Sequence, residues 1–147
     1  MYEQELQDIV VSAGTMLVES VEELHVTKKG RANFVTQMDV AVQEFLRKQL
    51  YELDSTVTLL AEEQENAAPK EEASYWILDP IDGTQNFIRH LNLSAISLAH
   101  YSDGALQTGV VYNPFTKELF FASRGKGAFL NGNVLEEPIP YVQTKYH

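Results

Sequence analysis

Apolar residues recur at Leu6, Ile9, Val10, Ala13, Leu17, Val21 and Leu24, three or four apart, with Glu and Gln between them. That spacing puts one apolar stripe along an amphipathic helix. After the basic, glycine-containing stretch Lys28-Lys29-Gly30-Arg31, a second helical period runs through Val42, Phe45, Leu46, Leu50 and Leu53. Its start reads as Thr36-Gln37-Met38-Asp39, where a Thr followed three residues on by an acid has the pattern of a capping box. From Thr56 the period shortens, and β-rich runs follow at Val57 to Ala61, Tyr75 to Leu78, Ala95 to Tyr101, Leu106 to Tyr112, Leu119 to Ala122 and around Phe129. Ser102-Asp103-Gly104 and Asn131-Gly132 are hairpin turn signals, and Asn113-Pro114 opens another connection, so the later strands read as an antiparallel meander. Helices first and strands after predict an α+β fold, two N-terminal helices packed on a largely antiparallel sheet. No repeat or linker divides the 147 residues, so residues 1–147 read as one domain.

Composition narrows the chemistry. With 44% hydrophobic and 22% charged residues the chain is an ordinary globular domain. It has no cysteine, which excludes thiolate nucleophiles, zinc–sulfur sites and iron–sulfur clusters and leaves oxygen and nitrogen ligands. The net charge of −10 predicts no nucleic-acid partner, because the chain repels a phosphate backbone. Acids stand where a signal peptide would carry its basic region, and no apolar run approaches the ~20 residues of a membrane span. A cytoplasmic protein with no membrane partner is expected.

The candidate chemistry lies in Trp76-Ile77-Leu78-Asp79-Pro80-Ile81-Asp82-Gly83-Thr84-Gln85-Asn86-Phe87. An apolar strand is expected to end at Asp79, with Pro80 barring a helix and Asp82 returning three residues later as the chain turns toward a short helix. Gly83 allows a ligand close to the backbone, and free N–H groups at a helix start suit phosphate oxygens. Asp-Pro and Asp-Gly are also ordinary turn dipeptides, so on spacing alone the turn and the ligand cluster stand level. A second acidic strand end, Val57 to Ala61 running into Glu62-Glu63, favours the cluster. Two neighbouring strands would bring Glu62, Asp79 and Asp82 to one edge, an oxygen-only set suited to Mg²⁺ or Mn²⁺. Other features offer less. Lys28-Lys29 with Arg31 could meet a phosphate or simply be solvated. Arg124-Gly125-Lys126-Gly127 reads as a bulged hairpin, because it lies between short strands and lacks the Walker pattern. His25, His90, His100 and His147 show no ligand spacing.

Asp79-Pro80-Ile81-Asp82-Gly83-Thr84 followed by Asn86-Phe87 resembles the first signature of the inositol monophosphatase family, magnesium-dependent and lithium-sensitive sugar phosphatases. Val35-Thr36-Gln37-Met38-Asp39 resembles its V-T-x-x-D segment and Ala61-Glu62-Glu63 its G-E-E element. Gly109-Val110-Val111-Tyr112 through Gly125 to Gly132 resembles its following hairpins. The resemblance implies the N-terminal half of a layered sugar-phosphatase fold. It implies one metal held by Glu62, Asp79 and the Ile81 carbonyl, and a second by Asp79 and Asp82. Thr84 with Glu62 is implied to activate a water, and Asp82, Gly83 and Thr84 to bind the substrate, its phosphate lying on the backbone of Gly83 and Thr84. Asp39 is implied to stand behind Thr84; as the acid of a capping box it would serve the helix start instead. The implied partners are a small phosphorylated substrate and a second subunit in a homodimer.

The sequence departs from the family at Ala61, where a glycine is usual, and at Asn33, where an acid is common. Trp76 is the only tryptophan, so the second signature, W-D-x-A, whose aspartate completes the second metal site, is absent. The expected activity is magnesium-dependent hydrolysis of a phosphate monoester, inositol monophosphate or a similar sugar phosphate, with the isolated chain nearly inactive. Within the superfamily the alternatives are a fructose-1,6-bisphosphatase or a 3′-phosphonucleotide phosphatase. Outside it, the alternative is a truncated, non-catalytic metal- or partner-binding module.

Overall fold

In the computed structural model the backbone is described for residues 2–27, 31–61, 73–82 and 94–136, and side chains for 2–20, 37–61, 73–79 and 94–136. The elements run α1 (Glu3–Thr27), α2 (Arg31–Leu53), β1 (Thr58–Ala61), β2 (Tyr75–Asp82), β3 (Ala95–Ser102), β4 (Ala105–Asn113), β5 (Glu118–Ser123), β6 (Gly127–Leu130) and β7 (Asn133–Val134). The α+β architecture is the expected one. The strands form one sheet in sequence order, β1 parallel to β2 and each later pair antiparallel. Only β7 had no counterpart in the sequence pattern, since two residues show no alternation.

One face of the sheet carries the core. The α1 stripe Leu6, Val10, Ala13 and Leu17 and the α2 stripe Met38, Val42, Leu46 and Leu50 pack with Trp76, Leu78, Ile96, Leu98, Val110 and Tyr112. Strand β3 alternates without a break, its even-numbered residues buried and its odd-numbered ones half-buried, the period expected of a sheet with helices on one side only. Gly14 lets α1 come close to the sheet: a Cβ there would sit 2.6 Å from the Tyr112 ring and 2.9 Å from Pro114. The turns follow their residue types. Asp103 and Gly104, and Asn131 and Gly132, all adopt positive φ, the conformation that two-residue hairpins of the I′ kind require. The Asn113 carboxamide accepts hydrogen bonds from the backbone N–H groups of Phe115 and Thr116, closing the turn that Asn113-Pro114 announces. The glycine-rich basic stretch is likewise a hairpin turn, with Gly125 and Gly127 at positive φ and the Lys126 ammonium 3.2 Å from the Glu3 carboxylate. Among the described residues no helix is long and apolar enough to cross a membrane.

Two local expectations are corrected. Helix α2 begins at Arg31, so Thr36 lies more than a turn inside it and makes no capping box. No proline or glycine interrupts Arg31 to Thr36, and the helix accordingly runs back to Arg31. Asp39 accordingly sits within the helix, half-buried, beside the buried Met38. The second correction is that β2 does not stop at Asp79 but continues through Pro80 to Asp82. Its pairing with β3 shifts on the way: Asp79 is opposite Ser97 and Asp82 opposite Ala95, so Pro80 and Ile81 together face the single residue Ile96. That two-against-one count defines a β-bulge, and a bulge is where a strand tolerates a proline that has no N–H to donate.

Candidate functional site

The site is built where β1 and β2 end. Their parallel pairing sets Ala61 against Leu78, so both strands deliver their C-terminal ends to one edge. Asp79 is the next residue along β2, and Glu62 is the next along the chain after Ala61. Alternation along β2 turns Trp76 and Leu78 into the core beneath the helices and Asp79 to the opposite face, where it is half-buried. There it lines an open groove of about 790 Å³ together with Ser97, Val111 and Phe120, the residues that follow it across β3, β4 and β5. The bulge sits immediately beyond. By taking an extra residue out of the ladder it re-aims the backbone between Asp79 and Asp82, the stretch that contains the Ile81 carbonyl.

Of the residues singled out in the sequence, Asp79 is placed with its side chain, Ile81 and Asp82 by their backbone on β2, and Asp39 on α2. Glu62, Gly83 and Thr84 lie outside the described residues. Among the described residues no three His, Asp or Glu side chains converge as a metal site. The structure adds Ser97, the cross-strand neighbour of Asp79, which the motif reading passed over. Its signal was a small polar residue at an odd-numbered position of β3, where the alternation of that strand points away from the core. The available donors are carboxylate, hydroxyl and carbonyl oxygens, hard ligands suited to Mg²⁺ or Mn²⁺ and unsuited to soft metals.

Two helices lie on one face of a mostly antiparallel sheet, and the Asp79-Pro80-Ile81-Asp82 bulge lies at the sheet's edge. The sequence matches the model of the inositol monophosphatase family over residues 3–146, and the chain belongs to that family. It is 41% identical over 111 residues to the inositol-1-monophosphatase of Rhizobium meliloti, covering 76% of this chain and 42% of that protein. It is also 34% identical over 123 residues to the Nus factor SuhB of Escherichia coli, covering 82% of this chain and 46% of that one. Among solved structures it superposes on inositol monophosphatase II of Staphylococcus aureus with a TM-score of 0.82 at 28% identity, over 92% of this chain and 50% of that one. The Staphylococcus aureus protein has also been solved with inositol monophosphate and with 2′-AMP bound. The chain spans about half the length of the relatives it matches.

Proposed function

We propose that this chain supplies the metal-binding half of a phosphatase that hydrolyses a small phosphate monoester, inositol monophosphate or a similar sugar phosphate. The observation that carries the reading is the β2 bulge, which sets Asp79 and Asp82 on either side of Pro80-Ile81 at the edge where β1 also ends. On this reading Glu62, Asp79 and the Ile81 carbonyl hold one Mg²⁺ or Mn²⁺, and Asp79 and Asp82 hold a second. When bound, the cations lower the cost of deprotonating a water and take up charge from the phosphoryl oxygens.

The chain's own groups do the rest. Thr84 and Glu62 orient the attacking water, and Glu62 takes its proton. The backbone N–H groups of Gly83 and Thr84, together with Asp82, bind the substrate so that the water stands in line with the leaving oxygen. Attack by water in line requires no covalent enzyme intermediate. Asp39 positions Thr84 from α2, now without the competing duty of a helix cap. Identity to a named inositol-1-monophosphatase supports the monoester class, and the two ligands seen on the Staphylococcus aureus protein support a site that accepts both a cyclitol and a nucleotide phosphate. The homodimer and the cytoplasmic location belong to this proposal.

Thermal melts test the metal site. Mg²⁺ at one hundred times its dissociation constant should stabilise the wild-type chain by about 2.7 kcal/mol, and Asp79→Asn should remove most of that gain. An unchanged melting temperature for the wild type, or an equal shift for Asp79→Asn, defeats the assignment. Identity to relatives named Nus factor favours a second reading, a non-catalytic module. Magnesium binding without phosphate release from inositol monophosphate, once residues 1–147 are joined to the unmatched remainder of the Rhizobium meliloti relative, would decide for it.

A further inference from the structure

Ser97 is the cross-strand partner of Asp79, and the two form the last regular rung between β2 and β3 before the bulge. Among the described residues that line the groove, these two alone carry polar side chains; the rest are aliphatic, aromatic or glycine. Nothing in the strand itself calls for a serine there, since strand interiors favour β-branched and aromatic residues. On its other side, across β4, Ser97 is paired with Val111. The half-buried Ser97 side chain thus has a carboxylate on one side and an aliphatic side chain on the other. Cβ atoms of directly opposed residues in an antiparallel pair lie about 4.5–5.5 Å apart, within reach of a bond between a hydroxyl and a carboxylate oxygen. An ionised carboxylate only accepts and has lone pairs on both oxygens, so a hydroxyl can donate to it and leave room for other ligands.

We propose that the Ser97 hydroxyl donates a hydrogen bond to the Asp79 carboxylate and fixes the plane in which that carboxylate meets a divalent cation, which makes Ser97 a positioning residue. The assignment rests on the reading of Asp79 as a metal ligand. A carboxylate shared between two cations must present one oxygen to each, yet the terminal torsion of an aspartate is broad and only roughly two-fold. The backbone beyond Asp79 is bulged and gives no regular rung on that side. The brace comes from β3, a strand that alternates without a break and is anchored in the core by Ile96 and Leu98 on either side of Ser97. A ligating carboxylate that loses such a hydrogen-bond partner typically binds its metal about 10–100-fold more weakly.

Binding of Mn²⁺ to residues 1–147, read from the loss of the free-ion signal in electron paramagnetic resonance, tests this without recourse to activity. Ser97→Ala and Ser97→Val should raise the Kd for Mn²⁺ by about 10–100-fold. Ser97→Thr has the shape of Ser97→Val but keeps the hydroxyl, and it should stay within about threefold of the wild type. Metal-free urea melts with matching midpoints for the Thr and Val variants separate the effect from folding. Asp79→Asn, in the same assay, should lose most of the binding. If the wild type binds no Mn²⁺, or Asp79→Asn binds it equally well, the metal reading fails and the role of Ser97 falls with it. If Asp79→Asn loses binding while Ser97→Ala and Ser97→Val keep the wild-type Kd, the metal reading stands and the role of Ser97 alone is overturned. Equal weakening by Thr and Val would also overturn it, because the hydroxyl would not be the cause. Ser97→Cys distinguishes positioning from direct ligation. A thiol is a weak donor, so it should weaken Mn²⁺ binding as alanine does, with no gain for Cd²⁺. A swing of preference to the softer Cd²⁺ would put the side chain at 97 on the metal itself and overturn the positioning role.

Discussion

The two faces of this sheet are made from the same strands and differ in almost every physical respect. The face beneath α1 and α2 holds Trp76, Leu78, Ile96, Leu98, Val110 and Tyr112, large side chains locked against two complementary helix stripes. The other face offers Ile77, Ala99, Gly109 and Ala122, mostly small residues, beside a row that begins at Asp79. The first face therefore stores the stability of the domain, and the second, which bears the candidate ligand Asp79, carries no helix among the described residues. Alternation alone makes the division, since neighbours such as Leu78 and Asp79 on one strand serve opposite faces. If that division is right, equivalent substitutions on the two faces should have very different costs.

The largest cost should follow Leu98→Ala. Leu98 is 1% exposed at the centre of the covered face, and truncation there removes buried methyl groups and leaves a cavity worth about 2–5 kcal/mol. Urea denaturation with an unchanged slope would measure it. A loss below about 1 kcal/mol would mean that the helices close over the gap and that the covered face is not tightly packed. Next comes Gly14→Ala. On an exposed helix this change adds up to about 1 kcal/mol of stability. Here the new methyl meets the Tyr112 ring and Pro114 at distances no Cβ tolerates, so a net loss of about 1–3 kcal/mol is expected. A stabilised Gly14→Ala would show that α1 stands off from β4.

Which parts of this division were legible in the sequence is itself explained by the faces. The helix stripes and strand runs were readable because burial on one side imposes period 3.6 on α1 and α2 and period 2 on β3. The hairpin turns were readable because Asp103-Gly104 and Asn131-Gly132 need positive φ and few residue pairs supply it. The start of α2 was misread because Thr36 and Asp39 fit a local capping pattern, while helix continuity back to Arg31 depends on the whole segment. The end of β2 was misread because a proline usually stops a strand, and only pairing with β3 reveals that a bulge absorbs it. In the site itself, the motif named Asp79 and Asp82 but could not show that Asp79 shares a face with Ser97 and Phe120. Face sharing across strands depends on register, and register is not written in any one strand.

A smaller effect should appear as a dependence on pH. His100 lies on the covered face, 1% exposed, with its ring against Tyr2 and Trp76, and its Nδ1 has no hydrogen-bond partner. Burial pushes its pKa below the ordinary value, and Asp54 and Asp103 oppose that shift only in part. The unfolded chain then takes up a proton before the folded one does. Stability should be complete above the ordinary histidine value of 6.5 and should decline as pH falls from there toward the folded-state value. Urea melts across that range, wild type against His100→Asn, would isolate the contribution. If the decline is as steep in His100→Asn, the carboxylates and not this histidine are responsible.

The finest test uses one substitution at two adjacent residues of β4. Val110 is buried on the covered face and Val111 is 42% exposed on the open one. Threonine keeps the shape and the strand preference of valine and exchanges one methyl for a hydroxyl. At Val110 that hydroxyl would be buried among apolar side chains, and leaving it without a partner should cost about 1–3 kcal/mol. At Val111 water can reach it, and the change should stay within about 0.5 kcal/mol. Equal losses at both positions would mean that the open face is already covered in the isolated chain, by a second copy or by its own residues.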